Sequence, residues 1–169
     1  MIRLWHPVYD PHHCSYRIIA LLQAAEGATL QLPKLSFLDM YFLFPHYLHE
    51  LSLPKVIADM RREMRLPRRK DSYVYLPDVR LLYRELQQYQ RVALERLVAR
   101  NIIFLDDYQD RIARLNTSAI PTELNKTIQS HSAGDKSLIS FLVNQIASVP
   151  LDGPRGVLRQ TKMELGGRL

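Results

Sequence analysis

The feature that most constrains the fold of this chain is a long amphipathic segment between residues 79 and 100. Its apolar positions recur every three or four residues, which is the period of an α-helix with one buried face. These positions are Val79, Leu82, Leu86, Tyr89, Ala93 and Leu97. Asp78 stands directly before the segment and is predicted to cap the helix. Because such a helix spans roughly 30 Å, the other elements are expected to pack along it.

A first helix is predicted near the start of the chain. Asp10-Pro11 is typical of an N-cap followed by a proline in the first turn, and Gly27 stands where the helix should end. The apolar stripe between these two points consists of Cys14, Ile18, Leu21, Leu22 and Ala25.

A second helix is predicted over residues 37–44, after a short extended piece at residues 29–32. Ser36 and Asp39 are predicted to form a capping box at its start. The helix is apolar nearly all round, so it should be the buried centre of the domain. Pro45 must kink or restart the chain, and Pro54 opens a third, short helix.

The segment after the long helix predicts a β-hairpin. Residues 102–105 and 111–116 have the pattern of short strands, and the polar residues 106–110 lie between them. A brief strand at residues 73–76 and two later helices, opened by Pro121 and capped by Asp135, complete the predicted elements.

The order helix, extended piece, helix, long helix, hairpin is that of a winged-helix domain. We therefore predict a mainly α fold: a single winged-helix-like helical domain over residues 1–149, with an insertion at about residues 50–77 and a small β-hairpin. Residues 150–169 have no apolar stripe and are predicted to form a C-terminal tail. Another compact helical arrangement is the alternative, since many small helical domains end in a hairpin.

Cysteine usage and hydropathy indicate the compartment. Cys14 is the single cysteine, so no internal disulfide can form and a cytoplasmic protein is expected. Pro7 and Pro11 interrupt the first residues, and we expect no signal peptide there. The most apolar segment, residues 35–43, contains Asp39 and is too short to span a bilayer, so no membrane partner is expected.

The positive charge of the chain is concentrated in one block. The formal net charge is +6, and residues 61–70, with six basic residues and one acidic residue, supply +5 of it. Such a block is either a solvated loop or a contact for phosphate or for an acidic protein face. Together with arginines of the long helix, the candidate contacts for DNA or a partner are Arg61, Arg62, Arg65, Arg68, Arg69, Lys70, Arg80, Arg84 and Arg91.

Four common catalytic motifs are absent from the sequence. It has no phosphate-binding G-x-x-x-x-G-K-[ST] loop, no G-x-S-x-G nucleophile turn, no G-x-G-x-x-G turn and no H-E-x-x-H zinc motif. We therefore predict that the protein is not an enzyme and has no catalytic residue, cofactor or metal.

Two groups of side chains are of the types that bind metal ions. The first group is rich in histidine and would bind zinc if its members met in space; it consists of His6, His12, His13, Cys14, His46 and His49. The second is the set of three aspartates at the hairpin tip, Asp106, Asp107 and Asp110. For the first group we favour histidines that only pack and form hydrogen bonds, because no C-x-x-C pair accompanies them. For the second group we favour carboxylates that keep a strand edge soluble.

Several stretches of the sequence resemble a known family. They are LWHPVYDPHHCSYRIIALLQ, with its H-P-x-x-D-P start, and KLSFLDMYFLFPHYLHEL, with its L-D-x-Y-x-x-F-P-H run. The similarity continues through ARNIIFLDD to a basic tail with GVLRQTKM. Over most of its length the chain resembles the small middle component of three-component bacterial ABC-ATPase defence systems, a group that overlaps Lamassu.

The resemblance implies a non-catalytic adaptor subunit. It would bridge an SMC-like ABC ATPase and a nuclease-type effector in an anti-phage or anti-plasmid complex. ATP hydrolysis and DNA cleavage would belong to those partners, and no active-site residue is carried over. The alternative is a free-standing winged-helix transcriptional regulator that binds DNA. Against that alternative stands the acidic hairpin tip, which DNA phosphates would repel.

Overall fold

The computed structural model describes residues 9–66, 78–154, 156–161 and 163. The helices are α1 (Pro11–Ala24), α2 (Leu32–Leu43), α3 (Lys55–Glu63), α4 (Val79–Ala99), α5 (Leu105–Gln109), α6 (Thr122–His131), α7 (Lys136–Asn144) and α8 (Val157–Gln160). The strands are β1 (Thr29–Gln31) and β2 (Ile112–Arg114). The protein is mainly helical, as the sequence predicted. Within the described part of the chain, no helix is both long and apolar enough to cross a membrane.

Helix α1 begins and ends where the sequence signals predict. The Asp10 side chain accepts a hydrogen bond of 2.8 Å from the backbone N–H of His12, and Pro11 occupies the first turn. All five residues of the predicted stripe are buried. After the helix, Gly27 adopts a left-handed conformation with φ 61°, which glycine tolerates without steric strain, and the chain turns there into β1.

Helix α2 is the buried centre of the fold, as predicted, but it begins earlier than predicted. It starts at Leu32 with Pro33 in its first turn, where the missing N–H of proline costs nothing. The predicted capping box is therefore wrong: Ser36 and Asp39 lie inside the helix and are buried. The helix ends at Leu43, and a 3₁₀ helix, Pro45–Glu50, follows the predicted break.

Helix α4 has nearly the predicted bounds. The Asp78 side chain caps it by accepting a hydrogen bond of 2.8 Å from the backbone N–H of Arg80. Four of the six predicted stripe residues are buried, and Val79 and Tyr89 are half-buried. The buried face also contains Tyr83, Gln90 and Leu94. It packs mainly against α1 and also contacts α2.

The two segments predicted as a hairpin do lie antiparallel. Ile103 and Leu115 form a β-bridge, and the Phe104 N–H donates to the Arg114 carbonyl oxygen at 3.2 Å. The predicted polar tip, however, is the short helix α5, whose first turn carries two aspartates that favour a helix N-terminus. Strand β2 pairs with β1, so the sheet joins this region to the end of α1. The winged-helix likeness stays a prediction.

The described part of the predicted tail packs on the core. Although the segment has no apolar stripe, Leu151, Val157 and Met163 are buried in the core. Gly156 has no β-carbon, and one placed there would clash with the Leu151 carbonyl oxygen. The glycine therefore allows the chain to approach itself closely at this point. The boundary at residue 150 stays a prediction, and the predicted strand at residues 73–76 lies outside the described residues.

Candidate macromolecule-binding site

The exposed face of α4 presents a stripe of arginines. Arg80, Arg84 and Arg91 are all exposed, and their spacings of four and seven residues place them on one face of the helix. Arg80 forms an ion pair of 2.9 Å with Asp78, whereas Arg84 and Arg91 form no ion pair with a described residue. Hydrogen bonds from Arg80 lower the pKa of the Asp78 carboxyl to about 2. The two unpaired arginines are therefore the accessible positive charges of this face.

The basic block predicted at residues 61–70 divides into residues with different roles. Arg61 is half-buried, and its guanidinium donates hydrogen bonds to the carbonyl oxygens of Leu48 and Leu51, the latter at 3.0 Å. It thereby ties α3 to the end of the preceding 3₁₀ helix. Arg62 is exposed and pairs with Asp59 at 2.9 Å, and Arg65 is exposed. Arg68, Arg69 and Lys70 lie outside the described residues.

Helix α3 also exposes apolar side chains. Val56 is 67% exposed and Met60 is 39% exposed, and one helical turn separates them on the same face. Ile57, the residue after Val56, is buried in the core. The exposed Arg62 lies on the same short helix. The surface of α3 thus combines apolar and positively charged groups.

The three aspartates predicted at the hairpin tip do not form one acidic cluster of free carboxylates. Asp107 is half-buried and pairs with Arg114 at 2.6 Å. The guanidinium of Arg114 also lies 4.4 Å from the centre of the Phe104 ring. Asp106 and Asp110 remain exposed. The repulsion expected between this tip and a phosphate backbone is therefore weaker than the sequence indicates.

The candidate zinc residues are not brought together within residues 9–66, 78–154, 156–161 and 163, where no three metal-ligand side chains form a cluster. Cys14 is fully buried, and burial and the neighbouring Asp39 carboxylate raise the pKa of its thiol well above the usual value. His12 lies beside Arg96, with 3.5 Å between the nitrogen atoms. His6 lies outside the described residues.

A buried polar network joins α1, α2 and α4, and the sequence reasoning missed it. The Nε of Arg17 donates to one Asp39 carboxylate oxygen at 2.6 Å, and Nη2 donates to the other at 3.1 Å. The Gln90 amide donates to the same carboxylate at 2.9 Å and to the Ser36 carbonyl oxygen at 3.1 Å. The Ser36 hydroxyl donates in turn to the Gln90 side-chain oxygen.

The network pairs the Asp39 carboxylate with the Arg17 guanidinium, two charges that would be costly to bury without a partner. Asp39 is fully buried and Arg17 is 9% exposed. Burial lowers the pKa of Arg17, but the Asp39 carboxylate raises it, and the net shift is upward, so the guanidinium stays charged. One signal for this pair was visible in the sequence: Asp39 is the single charged residue in the apolar segment 35–43. Sequence spacing alone offered no way to identify its partners.

An open groove of about 550 Å³ lies beside this network and is lined in part by its Arg17. It is formed by α1, the end of α2, α6 and the start of α7. Tyr16, Phe42 and Leu138 contribute apolar walls, and Arg17 lines the groove while Asp39 does not. This groove could not be predicted from the sequence, because it requires side chains from four helices.

Comparisons with known proteins identify one family. The model of the family described as ABC-three component (ABC-3C) system Middle Component 5 matches residues 3–165, which is nearly the whole chain. No curated protein matches the chain. No solved structure matches it either.

Proposed function

The chain belongs to the Middle Component 5 family of ABC-three component systems, and on that premise we propose that it is a non-catalytic adaptor subunit. It would bridge an SMC-like ABC ATPase and a nuclease-type effector in a bacterial defence complex against phages or plasmids. ATP hydrolysis and DNA cleavage would be carried out by these partners. The absence of catalytic motifs from the sequence and its resemblance to defence-system middle components support this role.

The observation that carries the proposal is the presence of two different exposed surfaces. On α4, Arg84 and Arg91 offer unpaired positive charge, which suits an acidic protein face or a DNA backbone held by the complex. On α3, Val56 and Met60 offer exposed apolar area beside positive charge, which suits a protein interface. A bridging subunit needs two such surfaces, one for each partner.

A free-standing winged-helix DNA-binding regulator is the second candidate. The arginine stripe of α4 favours it, since a helix in this position of a winged helix enters the major groove. The ion pair between Asp107 and Arg114 also favours it, because it reduces the repulsion between the hairpin tip and phosphate. The regulator would recognise a short operator, whereas the adaptor would contact DNA without sequence preference.

The test is co-purification of the tagged full chain with the proteins encoded by adjacent genes. We expect two double variants to weaken the binding of one partner each, by about tenfold or more at low salt. They are Arg84→Glu/Arg91→Glu and Val56→Asp/Met60→Asp. The loss caused by the arginine variant should shrink as salt rises, because salt screens exposed charges. A matched control, Lys126→Glu/Lys136→Glu, reverses two exposed lysines on α6 and α7 and should leave both interactions intact.

Three outcomes would contradict the adaptor. The first is that neither double variant reduces the binding of any neighbouring gene product. The second is that the chain alone selects one short duplex over random DNA by roughly a thousandfold or more, as an operator-binding protein does. The third is ATPase or nuclease activity of the purified chain that disappears when one of its own acidic residues is replaced.

A further inference from the structure

The outer stripe of α4 is a row of five exposed side chains that runs along the helix for about 21 Å, at 1.5 Å per residue. The residues follow one another at spacings of three and four positions, so neighbours in the row touch the same helix face. In chain order they are Leu81, Arg84, Gln88, Arg91 and Glu95. The outer stripe is therefore apolar at one end, positively charged in the middle and negatively charged at the other end.

The two arginines of the outer stripe carry positive charge that no described residue neutralises. Arg84 and Arg91 form no ion pair with a described residue, and the neutral Gln88 lies between them. Glu95 lies one turn beyond Arg91 and forms no ion pair with it. The arginines are two turns apart, about 10 Å along the axis. A complementary surface therefore needs two negatively charged acceptor groups at about this separation.

The apolar end of the outer stripe has an aromatic neighbour. Leu81 is 48% exposed. One turn further along α4, the Tyr9 hydroxyl donates to the Glu85 carboxylate at 3.3 Å. The Tyr9 ring is 39% exposed and packs on Tyr89, with 5.4 Å between ring centres. Exposed apolar and aromatic groups beside arginine are typical of the surfaces through which proteins bind proteins.

The composition of the outer stripe favours a protein partner over a DNA backbone. A row of phosphates offers no apolar surface for Leu81, and phosphates would be repelled by Glu95 in the same row. The two unpaired arginines would neutralise two phosphates only, whereas binding to a DNA backbone depends on several such contacts. A protein face, in contrast, can present carboxylates to the arginines and an apolar side chain to Leu81.

We propose that the outer stripe binds an acidic segment of a partner protein. Two carboxylates of the segment accept hydrogen bonds from the guanidinium groups of Arg84 and Arg91, and an apolar side chain of the segment packs against Leu81. Because a guanidinium pairs with a carboxylate through two parallel hydrogen bonds, these contacts also fix the position of the segment along α4. The inference rests on the proposed adaptor function and assigns one of the adaptor's two surfaces to a protein.

The first test concerns the apolar end. It measures the affinity of the full chain, after nuclease treatment, for each adjacent-gene product that co-purifies with it, and for a random-sequence DNA duplex. Leu81→Ser should weaken the binding of one gene product about tenfold, because apolar area is lost from the interface, and should leave duplex affinity unchanged. Leu105→Ser is the matched control. Leu105 is 53% exposed on α5, outside the outer stripe, and its replacement should change neither affinity.

The second test concerns the charged middle. Arg84→Gln/Arg91→Gln should weaken the same gene product about tenfold or more at low salt, and the loss should shrink as salt rises. Lys126→Gln/Lys136→Gln removes the same net charge at two exposed residues of α6 and α7 and should change nothing. Equal losses in these two double variants would show an effect of net charge alone and would refute the inference. Thermal midpoints verify that each variant is folded.

The outcomes separate this inference from the adaptor itself. A gene product that binds the outer-stripe variants as tightly as the unchanged chain would refute the inference and leave the adaptor intact. Loss of the partner on nuclease treatment, with duplex affinity reduced by the arginine variant, would show that the outer stripe binds DNA. If no adjacent-gene product bound the unchanged chain, the adaptor and the inference would both be wrong.

Discussion

Arginine occupies two contrasting regions of this protein. The side chain of Arg17 on α1 donates hydrogen bonds to both carboxylate oxygens of Asp39 on α2, whereas Arg84 and Arg91 are exposed to solvent on α4. The same helix α4 serves both regions, since it sends Gln90 inward to the Asp39 carboxylate and its arginines outward. Burial therefore decides whether a charged side chain stabilises the fold or remains available to a partner.

The difference has an energetic cause. An exposed charge keeps its hydration, so a surface ion pair contributes little to stability. A buried charge has lost its hydration and depends on its partners, so removing one partner leaves an uncompensated charge in a low-dielectric interior. The buried network also joins three helices at defined positions. We therefore expect large stability effects at Asp39 and Gln90 and small ones along the outer face of α4.

The largest effect is expected for Asp39→Ala. The substitution leaves the Arg17 guanidinium buried without its carboxylate, and the free energy of unfolding should fall by about 3–5 kcal/mol. Urea denaturation followed by circular dichroism measures this free energy of unfolding. Lys126→Ala is the control: it removes an exposed ion pair with Glu123 and should cost at most about 1 kcal/mol. Comparable losses in the two variants would show that burial does not distinguish the two regions.

An intermediate effect is expected for Gln90→Leu. Leucine fits a helix and an apolar core, but it leaves the Ser36 hydroxyl and one Asp39 oxygen without the amide partner. The free energy of unfolding should fall by about 1–3 kcal/mol, the cost of a buried polar group left unsatisfied. Gln88→Leu makes the same change at an exposed position two residues earlier and should be nearly neutral. A loss at Gln88 as large as that at Gln90 would contradict the network.

The smallest effect on stability is expected for Arg84→Glu/Arg91→Glu. Both side chains are exposed and lack ion-pair partners among the described residues, so the unfolding free energy should change by no more than about 0.5 kcal/mol. The thermal midpoint should therefore match that of the unchanged chain, while partner binding falls. A strongly destabilised double variant would mean that the outer face of α4 is itself structural.

Elements with a strong local signal could be predicted from the sequence. The stripe of α1, the Asp10 and Asp78 caps and the bounds of α4 are confirmed, since each depends on residues only a few positions apart. The start of α2 was predicted wrongly, because Ser36 and Asp39 imitate a capping box. Their polar groups bond to distant helices instead. The predicted tail likewise lacked a helical stripe, yet Val157 and Met163 reach the core individually.

For the candidate site, the sequence determined the basic composition, the arginine stripe of α4 and the likeness to middle components. The tertiary structure decided which charges are used internally. It directs Arg61 to backbone carbonyl oxygens and Arg17 to Asp39, and it leaves Arg84 and Arg91 exposed. The physical reason is the range of the interactions. Helical periodicity and capping act between neighbouring residues, whereas the burial of a charge depends on helices that meet only when the whole chain has folded.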